Sequence, residues 1–63
     1  MKIYIETWED RDGLRLDIAF TQYEMEEMPI EYKCGKRNAL AERHNFNIAG
    51  ASRILTRIID RKE

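Results

Sequence analysis

The chain has 63 residues with 11 Lys and Arg, 12 Asp and Glu, one His and one Cys, and a formal charge of −1. That length allows one domain, 1–63, and buries only about 60% of the surface the unfolded chain exposes, so a homodimer sharing an apolar face is the natural source of extra stability. A single Cys excludes an internal disulfide. No second Cys or His lies nearby to complete a zinc set, and no stretch approaches the ~20 apolar residues of a membrane span. With no apolar run of signal-peptide length at the amino terminus, the expectation is a soluble, cytoplasmic protein with no membrane partner, no metal and no cofactor.

The small net charge hides a division. Residues 1–32 carry three bases against nine acids, whereas residues 33–63 carry eight bases against three acids. The basic half creates a local field that could meet phosphate, or it could attract the acidic half or a neighbouring copy.

The first segment, Lys2 to Trp8, is rich in β-branched and aromatic residues, and Leu14 to Phe20 alternates apolar with polar or small ones. The connector between them ends in Asp12-Gly13, and Asp-Gly between two alternating runs predicts a hairpin, because Gly accepts the positive φ of such turns. Leu14, Leu16, Ile18 and Phe20 then share a face, with Ile3 and Ile5 as their expected partners. Tyr4 and Trp8 fall on the opposite face of the first strand from Ile3 and Ile5. There they either cover a helix or form an aromatic patch for a protein partner.

Thr21 to Met28 is acidic, and Pro29 marks a break. Residues 22–35 admit two readings. Ile30, Tyr32 and Cys34 alternate as a third short strand ended by Gly35, or residues 22–28 form a helical turn followed by loop. From Lys36 onward the pattern is helical. Ile48, Ala51, Ile54, Leu55, Ile58 and Ile59 form an apolar stripe at 3.6 residues per turn, and Arg53, Arg57 and Arg61 recur every fourth residue. Ala39 to Ala41 favour a shorter helix before a break at 44–47, where Asn45 tolerates the left-handed conformation and Asn47 is a good N-cap. The fold class is therefore α+β, an amino-terminal antiparallel hairpin, with or without the third strand, packed against a carboxy-terminal helix-turn-helix or a long amphipathic helix.

Residues 40–55 resemble the helix-turn-helix of lac-repressor-type bacterial regulators. Leu40-Ala41-Glu42-Arg43 matches the first helix, and Asn45-Phe46-Asn47 stands at the turn, with Asn for the usual Gly and Phe for a branched aliphatic. Ser52-Arg53-Ile54-Leu55 matches the recognition helix. The resemblance implies double-stranded DNA as partner, with Asn47, Ile48, Ala49, Ser52 and Arg53 presented to the major groove and Arg57, Arg43 and Arg37 on phosphates.

Other residues carry less. His44 sits in a polar turn and suits a solvated or capping role, and Cys34, although flanked by Lys33 and Lys36, suits a small core position in its strand. One His, one Cys and no clustered carboxylates leave little for a catalytic site, so no enzyme is expected. Two functions follow from different classes. One is a small dimeric DNA-binding regulator. The other is an accessory or inhibitor protein of the phage or plasmid type that blocks a host or defence protein, through the basic helix or through an acidic hairpin surface of Tyr4, Trp8, Glu24, Glu26 and Glu27.

Overall fold

The computed structural model describes residues 1–62. In chain order it contains β1 (Lys2–Glu9), β2 (Arg15–Thr21), α1 (Gln22–Glu27), α2 (Ile30–Arg43), a 3₁₀ turn at Ile48–Gly50, and β3 (Ser52–Asp60). The three strands form one antiparallel sheet in the order β2-β1-β3. An α+β fold in which the hairpin packs with helix is what the sequence predicts.

The hairpin turns where Asp-Gly predicts it. Gly13 lies at φ +83°, its N–H donates to the Asp10 carbonyl (3.2 Å), and the Asp10 N–H donates to the Leu14 carbonyl (2.9 Å). The Asp10 carboxylate accepts from the N–H groups of Asp12 and Leu14, both at 2.9 Å, so the loop is held from inside. This closure pairs Glu6 with Ile18, Tyr4 with Phe20 and Trp8 with Leu16. The apolar face of β2 therefore meets Tyr4, Glu6 and Trp8; Ile3 and Ile5, its expected partners, lie on the other face of the sheet.

α1 begins at a reciprocal cap: the Glu24 N–H donates to Thr21 Oγ1 at 3.1 Å, and the Thr21 N–H donates to Glu24 Oε1 at 3.0 Å. Pro29 then opens α2, its fixed φ suiting a helix start. Of the two readings of 22–35, the helical turn over 22–28 is present as α1, whereas 30–34 is neither a third strand nor loop but the first turn of α2, and Cys34 is exposed rather than core. The helix ends as Asn45 predicts. Asn45 takes φ 53°, its N–H donates to Glu42, and the Phe46 N–H donates to Ala41 at 2.8 Å, a Schellman closure that tucks Phe46 against buried Ala41.

The second helix expected over 47–61 is not formed; Asn47 to Asp60 make the 3₁₀ turn and β3. Ile54, Thr56, Ile58 and Ile59 are β-branched, and β1 offers them a free central edge. Arginines four apart share a face at a period of 2 as well as at 3.6, so their spacing does not separate strand from helix. The buried apolar core comprises Ile18, Phe20, Ala41 and Phe46. α2 is tied down largely by cations: Lys36 Nζ donates to the Ala19 carbonyl (2.8 Å) and bonds both Glu24 oxygens (2.9 and 3.0 Å). Lys36 and Arg37 also lie over the Phe20 ring, 4.8 and 5.1 Å from its centre.

Candidate interaction surface

The side chain of Glu6 is completely buried, and four donors meet it. Arg37 from α2 closes a fork, Nε to Oε1 at 2.8 Å and Nη2 to Oε2 at 2.7 Å; Arg53 from β3 adds Nη1 to Oε2 at 3.1 Å, and the Trp8 indole N–H donates to Oε1 at 3.0 Å. Burial raises the carboxyl pKa. The hydrogen bonds from Arg37 and Trp8, the charge of Arg37 and the bond from Arg53 outweigh it, leaving the group ionised below the usual carboxylate range. Arg37 is correspondingly held above its usual range, first by its hydrogen bonds to Glu6. One carboxylate thus joins the helix to two strands.

A bulge between Thr7 and Trp8 slips the β1–β3 register, pairing Trp8 with Arg53 but Thr7 with Leu55. The slip sends the two arginines to opposite faces. Arg53 turns under α2 to Glu6, while Arg57 lies on the open face and reaches Asp17 Oδ2 at 3.4 Å. Thr7, also buried, donates its hydroxyl to Asp17 Oδ1 at 2.7 Å. Thr7, Asp17, Leu55 and Arg57 line a shallow groove of about 460 Å³ on this side of the sheet.

No protein-family model, curated protein or solved structure matches the chain.

The residues expected at DNA are therefore dispersed. Arg37 and Arg53 are spent on Glu6 and Arg57 on Asp17. Ser52 opens β3 opposite Glu9, Asn47 and Ala49 are exposed around the 3₁₀ turn, Ile48 is half-buried, and Arg43 is exposed at the end of α2. They share no helix face. The acidic surface is also changed: Trp8 is half-buried under α2, and Tyr4 donates to Glu26 Oε2 at 3.3 Å. Glu24 is occupied by Thr21, Tyr32 and Lys36, whose bonds hold it down to about 2, the backbone N–H of Thr21 contributing most. Glu26 and Glu27 remain exposed.

What sequence reading missed is β3. All nine of its residues are exposed; Ile54, Leu55, Ile58 and Ile59 are 46, 50, 58 and 42% accessible, and the strand's outer edge pairs with nothing among the described residues. Natural edges are commonly blunted by Pro, Lys or outward charge, yet β3 contains neither Pro nor Lys. Its two arginines are drawn onto the faces of the sheet by Glu6 and Asp17. Beside it, Ile3 and Ile5 extend the open face as a half-buried apolar strip.

Proposed function

We propose that this chain is a protein-binding module that works through β3, offering the strand's unpaired edge and the apolar face it shares with β1 to a protein partner. The observation that carries this reading is the nine-residue edge strand, exposed along its length, with four large aliphatic side chains about half accessible. An edge of this kind recruits an extended segment by main-chain hydrogen bonds, while alternate side chains select the partner. A role as a small accessory or inhibitor protein fits such a surface. The DNA-binding reading, in which Arg37, Arg53 and Arg57 are already bonded to carboxylates, finds no comparable support.

The test places a photoreactive residue at Ile59 or Leu55 on β3, and separately at Asn38 on α2, and compares covalent adducts in cells. Adducts to a defined protein from the β3 positions, lost on Ile5→Asp, are expected. Equal adduct patterns from β3 and α2, or retardation of duplex DNA abolished by Arg53→Ala, would overturn the reading.

A further inference from the structure

We infer that the open face of the sheet, the side away from both helices, is covered by the same face of a second copy of this chain, the two sheets stacking face to face while both β3 edges stay free. The inference rests on the proposed role of this surface. It names what covers the apolar face and leaves the edge to the partner proposed above.

Which residues share the face is set by the rows of the sheet that precede the bulge along β1. There Ile3 lies opposite Ile59 and Thr21, Ile5 opposite Arg57 and Ala19, and Thr7 opposite Leu55 and Asp17. Alternation is unbroken over these rows, and opposed residues share a face. Ile3, Ile5, Ala19, Leu55 and Ile59 therefore stand together, turned away from the side on which Glu6 and Phe20 meet α2. At the bulge, Ile54 lines the same groove as Leu55.

An antiparallel sheet that turns one face to water normally alternates polar residues onto it. The rows of Ile3 and Ile5 do the reverse. Leu55 and Ile59 are about half accessible and Ile3 and Ile5 half-buried, with no second layer over them among the described residues.

Charge and area both favour a second copy as the occupant. The charged side chains in the strand rows of this face are Glu9, Arg15, Asp17 and Arg57, and they are bonded within the chain, Arg15 to Glu9 at 2.9 Å and Arg57 to Asp17 at 3.4 Å. Acids and bases balance, so these rows have no net charge to offer an acidic or a basic partner, and two copies meet with an apolar centre and a polar rim. Three strands about 4.8 Å apart, each roughly 26 Å long, expose on the order of 500 Å² on one face, so two copies bury on the order of 1,000 Å², where specific interfaces begin. The chain exposes 4767 Å², whereas a monomeric domain of 7.6 kDa exposes roughly 4,300 Å². The excess is close to one such face. Four buried apolar residues are a small core, and stacking adds a second one between sheets about 10 Å apart.

Sedimentation equilibrium through the micromolar range, together with isotope-filtered nuclear Overhauser spectra of a half-labelled sample, tests the stacking. Wild type should sediment at twice 7.6 kDa and show intermolecular methyl contacts among Ile3, Ile5, Leu55 and Ile59. Ile5→Asp, with a far-ultraviolet spectrum as folding control, should weaken dimerisation about a hundredfold, because each copy then buries an unpaired carboxylate. Ile58→Asp, which shares the other face with Tyr4, should weaken it less than about twofold. Since Ile5→Asp could unfold the sheet, the wild-type spectra decide. A monomer throughout, intermolecular contacts confined to Thr56 and Ile58, or equal weakening by the two variants overturns the inference. A monomer that still gives β3 adducts to another protein leaves the binding role of the strand standing without self-stacking. A stacked dimer whose β3 adducts join only two copies of this chain upholds the inference and removes the other partner.

Discussion

Arg37 on α2 grips Glu6 on β1 with two hydrogen bonds of 2.8 and 2.7 Å, a charged fork that ties the helix to the sheet. Removing Arg37 leaves the buried Glu6 carboxylate with Arg53 and Trp8 alone, and breaking a buried ion pair by removing one partner typically costs about 3–5 kcal/mol. Arg37→Ala should therefore destabilise the domain by about 3 kcal/mol in urea melts. Replacing both, as Glu6→Leu with Arg37→Met, should recover most of that loss, since an apolar pair avoids desolvating two ions. A double variant as unstable as the single one would show that the pair does more than satisfy itself.

Acid should loosen the helices before it opens the hairpin. Glu24 titrates near 2 in the folded chain against an ordinary 4.5, and Glu6 is likewise depressed. A depressed carboxylate contributes stability above its unfolded pKa and loses it as pH falls through the folded one. Stability should be flat above about pH 5 and decline toward pH 2. Glu24→Gln, which loses the ionic bond to Lys36 and weakens the cap of α1, should flatten the decline and cost about 1–2 kcal/mol at neutral pH after solvent screening. The same acid slope in Glu24→Gln and wild type would assign the slope to other carboxylates.

Much of this architecture is legible in the residues, and its gaps have physical causes. Asp12-Gly13 announces the hairpin, and a loop closed by Asp10 and Leu14 fixes Glu6 opposite Ile18. That register is not readable beforehand: apolar patterning alone sets Ile3 and Ile5 against the apolar face of β2, whereas the loop closure puts Tyr4, Glu6 and Trp8 there. Asn45 and Phe46 likewise mark the end of a helix. The identity of 52–60 is not readable, because Arg53, Arg57 and Arg61 at spacings of four suit strand and helix alike. Nor does local sequence say that the central edge of β1 is free to accept them. The bulge at Thr7 and Trp8, which divides Arg53 from Arg57, is a tertiary outcome with no local mark.

Two glycines should answer a methyl group with opposite signs. Gly35 lies within α2 with open space around an added Cβ, so Gly35→Ala should raise stability by about 0.5–1 kcal/mol through helix propensity. Gly13 has equal space but a φ of +83°, so Gly13→Ala should lower stability by about 1 kcal/mol. Thermal melts of the two variants suffice. A stabilising alanine at 13 would mean that the turn has moved to another type.

The arginines of β3 decide between a partner of protein and one of nucleic acid. Arg53 is half-exposed yet bonds a buried carboxylate, whereas Arg57 and Asp17 form an open pair at 3.4 Å with both side chains about half accessible. Arg53→Ala should therefore cost about 1–2 kcal/mol of stability and Arg57→Ala less than about 0.5. Neither should change retardation of duplex DNA at low salt by as much as threefold, because neither guanidinium is free to replace counterions on phosphate. If both variants stay folded and each lowers duplex affinity tenfold, with a shallower salt slope, the two ion pairs open on binding and the basic half of the chain is a nucleic-acid surface after all.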